Sequence, residues 1–180
     1  SMDNVIVVIH GEKEESMLVS AHYDTVSLSA GATDNTAAVS ALMEMTSILM
    51  SPTASKPVYT LVVAFVQGEE IGLLGAAALA EFWPDFNKVV HFLNLDGTPG
   101  DKSMNFRSSG GYLDGLYASV KWPLGFVTAM DIFNLGLIGS DTDWSVYTRY
   151  RSGLDFATFS KRQTYHTLKD RHITEGSLQF

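Results

Sequence analysis

The chain has 180 residues, a length that fits one domain with a substantial buried core. Its net charge of −8 argues against a nucleic-acid partner, because phosphate binding needs basic patches, and its lack of cysteine excludes disulfides and thiolate metal sites. Hydrophobic residues make up 46% and charged residues 18%, which is a globular balance. The longest apolar run, Ile71–Ala80, is about half the length of a membrane-spanning helix, so we expect no membrane contact by this segment itself.

Strand signals and helix signals alternate along the chain. Short β-branched or apolar runs predict strands at Val5–His10, Met17–Ala21, Val58–Val66, Val89–Leu95 and, more weakly, Asp155–Phe159. Apolar residues at helical spacing predict helices at Asn35–Met50, Leu73–Phe82, Tyr112–Val120 and Thr142–Arg149, the last capped by Ser140 or Asp141. A polar turn over Gly11–Ser16 and loops at Pro52–Pro57 and Gly97–Ser103 separate them. The pattern predicts the α/β class, with a sheet sandwiched between helices.

Charged side chains follow the predicted strands at the point where each strand ends. They are His22 and Asp24 after the second strand, Glu69 and Glu70 after the third, and Asp96 after the fourth. Asp34 lies at the start of the first predicted helix. Ligand sites of such sheets collect at the carboxyl ends of the strands, and isolated charges there are costly unless they are paired or bound to metal.

Most of these residues have an ordinary structural interpretation when taken singly. Asp34 alone is a good N-cap of the following helix, and Asp96 followed by glycine fits a turn. His166 alone is an ordinary loop histidine. The adjacent Glu69 and Glu70 fit this interpretation less well, because apolar residues lie on both sides of them, but taken alone the pair leaves both interpretations open.

Taken together, the polar residues have the composition of a metal site. In chain order they read His-x-Asp, Asp, Glu-Glu, Asp and His. Zinc binds imidazole nitrogen and carboxylate oxygen, and one bridging carboxylate allows five ligands to give each of two metals three protein contacts. Adjacent glutamates point in different directions, so that one can bind a metal while the other faces the metal-bound water. The remaining histidines lack a comparable acidic partner and are interpreted as structural or surface residues: His10, His91 and His172.

Five stretches resemble the M28 family of zinc peptidases and keep that family's order: Ser20–Val26, Gly31–Asn35, Gly68–Gly75, Asn94–Gly97 and Tyr165–Thr167. Within the family, Ser140–Asp143 and Tyr165–Asp170 most resemble the membrane-anchored branch of the endoplasmic reticulum and vacuole. The resemblance implies a three-layer α/β/α sandwich with a mostly parallel or mixed sheet. It also implies a zinc-dependent aminopeptidase that faces the lumen of one of those organelles as part of a membrane-anchored protein. Ser1 and Met2 are interpreted as a scar of tag cleavage, and residues 3–180 as one catalytic domain truncated at both ends.

The resemblance also implies a role for each polar residue. It assigns His22 and Asp96 to one zinc ion, Glu70 and His166 to the other, and Asp34, with a cis peptide to Asn35, to both. Asp24 would orient His22, as carboxylates beside ligating imidazoles usually do. Glu69 would be the general base toward a water shared by the two ions, and the substrate would be a peptide with a free amino terminus.

One departure and two alternatives accompany this interpretation. Asp143 stands where many members of the family carry histidine, and roles in substrate binding and in the first turn of a helix stay open. The first alternative is a glutaminyl-cyclase-like acyltransferase with a single zinc, which the chain resembles at Ala32–Asp34 and Glu69-Glu70. The second is a non-catalytic ectodomain that uses the peptidase fold to bind partners. The retention of all five ligands favours the peptidase.

Overall fold

The computed structural model describes residues 3–97, 102–158 and 162–171, and its strands form one six-stranded mixed sheet. The strands are β1 Val5–Ile9, β2 Lys13–His22, β3 Tyr59–Val66, β4 Val89–Leu95, β5 Ser103–Ser108 and β6 Ser152–Thr158. Their order in the sheet is β1-β3-β2-β4-β6-β5. The four central strands run parallel, whereas β1 and β5 pair antiparallel at the two edges. The carboxyl ends of the four parallel strands therefore meet at one end of the sheet.

Helices cover both faces of the sheet. They are α1 Ala37–Leu49, α2 Leu74–Phe82, α3 Gly111–Tyr117, α4 Ala129–Asn134 and α5 Trp144–Tyr147, with shorter helical turns at Ala32–Thr36, Pro84–Lys88 and Arg162–Thr164. None of the helices in the described part of the chain has both the length and the apolar character needed to cross a bilayer. The element bounds agree with the other predicted strands and helices to within about three residues, apart from the differences below. Phe159 and residues 98–101, which fall in a predicted strand and a predicted loop, lie outside the described residues.

The buried core is divided between the two faces. On one face, Ala38 and Leu42 of α1 pack against Val19 and Val63 of the sheet. On the other face, α2 and α5 pack against a larger apolar cluster that includes Phe92, and the rings of Tyr147 and Phe92 lie 5.3 Å apart at an edge-to-face angle. The predicted α/β/α sandwich with a mixed sheet is confirmed.

Strand β2 is longer than its apolar residues indicate. It begins at Lys13, so the predicted polar turn over Gly11–Ser16 is wrong for its second half. Lys13 pairs with Tyr59, and a register irregularity separates it from the regular ladder that begins at Ser16. Backbone pairing with β3 needs no apolar side chain, and the side chains of Lys13–Glu15 point into solvent at this end of the strand.

The sequence predicts neither strand β5 nor helix α4. In β5, the buried side chain that would mark the strand is an arginine, Arg107, and not an apolar residue. Arg107 is 4% exposed, and its guanidinium carbon lies 4.1 Å from the ring centre of Phe133 on α4. Its Nε donates to Asp155 of β6 at 2.9 Å. A paired and stacked arginine therefore occupies a position where hydrophobic patterning expects an apolar residue.

The start of α5 also differs from the prediction. The helix begins at Trp144, and neither Ser140 nor Asp141 caps it. The Asp141 carboxylate instead accepts a hydrogen bond from Nη1 of Arg107 at 2.7 Å and one from the Thr142 main-chain N–H at 2.8 Å. Asp141 thus bonds to Arg107 and to the Thr142 main chain, and Asp143 occupies the N-cap position of α5 without a side-chain cap.

Candidate metal centre

Two groups of potential metal-binding side chains meet at the carboxyl ends of the parallel strands. The first group comprises His22, Glu69 and Asp96, and the second comprises Asp34, Glu70 and His166. Within each group, one nitrogen or oxygen atom from every residue lies within 4.8 Å of the others. The structure thus brings together all five residues for which the sequence predicted metal binding, together with Glu69.

Asp34 lies between the two groups and faces both of them. Its Oδ1 is 3.2 Å from Nε2 of His22, and its Oδ2 is 3.3 Å from Nε2 of His166. The first group continues from His22 to Asp96, whose Oδ1 is 3.5 Å from the same Nε2. The second continues from His166 to Glu70, whose Oε2 is 3.0 Å away. One carboxylate therefore directs its two oxygens at two different imidazoles.

The backbone before α1 places Asp34 in this position. Gly31 adopts a left-handed conformation (φ 62°), and the peptide bond between Asp34 and Asn35 is cis, as the resemblance implies. The side-chain amide of Asn35 donates to the carbonyl of Leu95 at 2.9 Å and so ties this turn to the end of β4. Gly97 must lack a side chain here, because a Cβ atom would lie 1.9 Å from a carbonyl oxygen of the same turn.

The loop after β3 carries Glu69 and Glu70 into the site. The carboxylate of Asp24 accepts the main-chain N–H of Glu69 on Oδ1 at 3.2 Å and that of Glu70 on Oδ2 at 3.3 Å. The loop then turns sharply into α2 through Leu73, which has φ of 60°. Gly75 lies so close to the end of β3 that a Cβ atom would meet the Gln67 carbonyl at 2.2 Å. The polypeptide is thus held on both sides of the glutamate pair.

Asp24 also contacts His22, but mainly through its backbone. Nδ1 of His22 lies 3.0 Å from the main-chain carbonyl oxygen of Asp24 and 3.6 Å from its carboxylate. This contact favours the tautomer in which Nδ1 carries the proton and Nε2 is free to bind a metal. Asp24 therefore contacts His22 and both glutamates at once.

His166 enters the site from the segment that follows β6. It has a positive φ of 56°, and its ring stacks on that of Tyr165 with 3.7 Å between the ring centres. The turn is closed by hydrogen bonds from the Thr167 hydroxyl and N–H to the Thr164 carbonyl, at 2.7 and 3.2 Å. His10 and His91 belong to neither metal-binding group, and His172 lies outside the described residues.

Burial and the proximity of several charges shift the pKa values of the site. Burial, reinforced by the charge of Asp96, raises the pKa of Glu69 to about 10, and burial with the charge of Asp34 raises that of Glu70 to about 7. Burial alone lowers the pKa of His22, but its three carboxylate neighbours outweigh this and raise it well above the ordinary value. The protein without metal therefore holds protons in this site at neutral pH.

These residues fit a pair of divalent cations. Five carboxylates, those of Asp24, Asp34, Glu69, Glu70 and Asp96, surround the two imidazoles. Within residues 3–97, 102–158 and 163–171, no lysine or arginine forms an ion pair with them. In the same part of the chain, the buried Oε1 of Glu70 has no hydrogen-bond partner. Imidazole nitrogens and carboxylate oxygens at this spacing suit zinc.

The metal-free protein should lose thermal stability as the pH rises from about 5.5 to about 8. Asp143 and Glu70, whose pKa values rise to about 7, ionise near pH 4 in the unfolded chain, so unfolding releases their protons and is favoured at higher pH. Protonated His22 and His166 act in the same direction, because folding raises their pKa values. Melting temperatures recorded with a chelator across this range test the prediction.

The isosteric variant Asp143→Asn provides the matched control for that experiment. It removes one titrating carboxyl group, so its melting temperature should depend less on pH than that of the wild type. A metal-free melting temperature that rises from pH 5.5 to pH 8 would contradict the assignment.

Two buried aspartates lie near the site: the sequence leaves two roles open for Asp143 and assigns none to Asp170. Asp143 is 1% exposed, makes no capping bond to α5, and has no hydrogen-bond partner for either oxygen within the described residues. Asp170 is 2% exposed and accepts hydrogen bonds from the turn that carries Asp34. Local pattern does not distinguish Asp170 from a surface aspartate, since its partners are remote in the sequence, and it gives no signal that Asp143 is buried.

The amino-acid sequence also matches a known family over nearly its whole length. The model of peptidase family M28 matches residues 4–179. The chain belongs to peptidase family M28.

Relatives among curated proteins include vacuolar membrane proteases of fungi. The protein of that name from Tuber melanosporum is 39% identical over 188 residues, which cover 97% of this chain and 19% of the relative. That from Meyerozyma guilliermondii is 35% identical over 173 residues, covering 93% of this chain and 18% of the relative. The M28 chain thus spans about a fifth of the length of these relatives.

Solved structures with the same fold include a zinc aminopeptidase and a glutaminyl cyclase. The zinc aminopeptidase of Bacillus subtilis superposes with a TM-score of 0.70 at 21% identity, covering 97% of this chain and 46% of that one. The glutaminyl cyclase of an Acidobacteriales bacterium superposes with a TM-score of 0.67 at 24% identity, covering 94% and 65%. At these identities the likeness shows the fold alone.

Proposed function

We propose that this M28 chain is a two-zinc aminopeptidase that removes residues from the amino terminus of peptides. His22 and Asp96 would hold one ion, Glu70 and His166 the other, and Asp34 would bridge them. The observation that supports this proposal is the position of Asp34, whose two oxygens lie 3.2 and 3.3 Å from imidazole nitrogens of the two groups.

Glu69 and Asp24 would supply the protein's part of the chemistry. When bound, the zinc ions polarise the scissile carbonyl and lower the pKa of water in the site. Without metal the pKa of Glu69 is about 10, and the charge of bound cations would lower it, so that the carboxylate is free to act as a base. Glu69 then accepts the proton of the attacking water and passes it to the leaving amine. Asp24 orients His22 through its carbonyl oxygen, and its carboxylate fixes the main chain of Glu69. The base and a ligand of the first ion are thus oriented by the same residue.

The charge of the site favours a substrate with a free amino terminus. Five carboxylates exceed the four positive charges of two zinc ions by one, so the loaded site would keep a net negative charge that favours an ammonium group over a free carboxylate. In the protein from which this chain comes, the domain would face the lumen of the vacuole or endoplasmic reticulum, attached to a membrane anchor. The names of the fungal relatives support the vacuolar assignment.

Two matched peptides, one with a free and one with an acetylated amino terminus, test the proposed activity. The zinc-loaded protein should shorten the free peptide one residue at a time from its amino terminus and leave the acetylated peptide intact. Mass spectrometry of the products reads this out directly. Internal cleavage of both peptides at similar rates would contradict aminopeptidase activity.

A third peptide that begins with glutamine tests the acyltransferase alternative. Both functions occur on this fold, because a glutaminyl cyclase is among the solved structures that superpose on the chain. Loss of ammonia from that peptide without cleavage of a peptide bond would favour the cyclase. Tight binding of peptides without turnover, in the presence of zinc, would favour the non-catalytic ectodomain.

A further inference from the structure

Asp170 joins the segment of His166 to the turn of Asp34. Its Oδ1 accepts hydrogen bonds from the N–H of Thr33 at 2.9 Å and from the hydroxyl of the same residue at 2.5 Å. Its Oδ2 accepts the N–H of Asp34 at 3.1 Å, and its main-chain carbonyl accepts that of Ala32 at 3.2 Å. Four hydrogen bonds therefore link two parts of the chain that are more than 130 residues apart.

The same short segment contacts Asp34 a second time. His166, four residues before Asp170, lies 3.3 Å from the Asp34 carboxylate. Between them the backbone is held by a hydrogen bond from the Asp170 N–H to the Thr167 carbonyl at 3.1 Å. One end of this segment holds the main chain of Asp34, and the other end faces its side chain. The relative position of Asp34 and His166 is thus set within one compact unit.

The chemistry of these contacts requires a carboxylate. Both oxygens of Asp170 act as acceptors, and every donor is neutral, so an amide in its place would turn an NH₂ group toward an N–H donor. The side chain is 2% exposed, and among residues 3–97, 102–158 and 163–171 it forms no ion pair with lysine or arginine. A carboxylate held in this way adds negative charge beside Asp34, which bound cations offset.

We propose that Asp170 is a positioning residue that holds Asp34 and His166 at the distance needed for metal binding. This inference rests on the proposed two-zinc site, in which Asp34 and His166 are ligands of the same ion. In the proposed site Asp170 would contact neither metal nor substrate. It acts through the main chain of Asp34 and through the conformation of the turn that carries His166.

The variant Asp170→Asn tests the proposal, with Asp131→Asn on the exposed side of α4 as the matched control. We expect Asp170→Asn to weaken zinc binding roughly tenfold to a hundredfold in competition with a chromophoric chelator. We also expect it to alter the visible absorption spectrum of the cobalt-substituted protein. The control should change neither. An unchanged zinc affinity and an unchanged cobalt spectrum in folded Asp170→Asn would overturn the proposal.

A second pair of variants keeps the test decisive if Asp170→Asn does not fold. Thr33→Val removes the hydroxyl donor and should weaken zinc binding and shift the cobalt spectrum. Thr33→Ser keeps the hydroxyl and should have the zinc affinity and cobalt spectrum of the wild type. Equal behaviour of these two variants would contradict the role of Asp170. A purely structural contact would lower the melting temperature in chelator and leave the cobalt spectrum of the folded protein as it is.

Failure of the proposed function would be recognised separately. If the wild type binds only one zinc ion, the two-zinc site is wrong. The affinity of that single ion in Asp170→Asn still decides whether Asp170 positions a ligand: a loss supports the proposal, and no change overturns it.

Discussion

Replacing Glu69 with glutamine is expected to leave zinc bound and to lower turnover by roughly two to four orders of magnitude. The glutamine side chain has nearly the volume of glutamate but cannot accept a proton from the attacking water. The main chain at this position is held by Asp24, at 3.2 Å from the Glu69 N–H, so the variant should keep the loop in place. Steady-state hydrolysis of an unblocked peptide, together with zinc content, provides the measurement.

Zinc content distinguishes the two roles that the geometry allows for Glu69. Its carboxylate lies in one group with His22 and Asp96, so it could also serve as a ligand. A loss of bound zinc in parallel with activity would identify a ligand, and full activity would exclude the residue from the reaction. The exposed Glu81 on α2 offers the control, since Glu81→Gln makes the same chemical change away from the site.

The second large effect is expected from Asp34→Asn. An amide offers one oxygen where the carboxylate directs two, one at His22 and one at His166. Bound zinc should fall from about two ions per chain to one or fewer, and peptide hydrolysis should fall by at least about a thousandfold. Elemental analysis and kinetic assays on the same preparation measure both quantities.

The matched control for this variant is Asp85→Asn, which removes a carboxylate that pairs with Lys88 on the surface. It should keep the zinc content and activity of the wild type. Retention of two zinc ions in Asp34→Asn would show that Asp34 does not bridge them.

The central strands of the fold could be predicted because burial on both faces makes them almost continuously apolar. Val89–Leu95 was predicted with the bounds that the structure shows. Patterning failed where the backbone pairs without apolar side chains, as at Lys13, and where a polar side chain is buried with partners, as at Arg107. Such partners come from remote parts of the chain and leave no local signal.

The candidate site divides in the same way. The sequence predicts that residues at the ends of the strands lie together, because parallel strands end side by side. It does not predict the contacts that orient these residues. The Asp24 carboxylate reaches the main chain of Glu69, and Asp170 reaches that of Asp34, across separations of 45 and 136 residues. Each contact is a main-chain hydrogen bond that depends on the folded geometry and not on a residue pattern.

The number of zinc ions bound per chain tests the central claim most directly. The protein should be stripped with a chelator, titrated with zinc, freed of excess metal and analysed for zinc and protein content. The proposed site predicts about two ions per chain, and the second should be lost when Asp34 or His166 is replaced. A chain that binds no more than one zinc ion at saturation would contradict the bridged two-metal site.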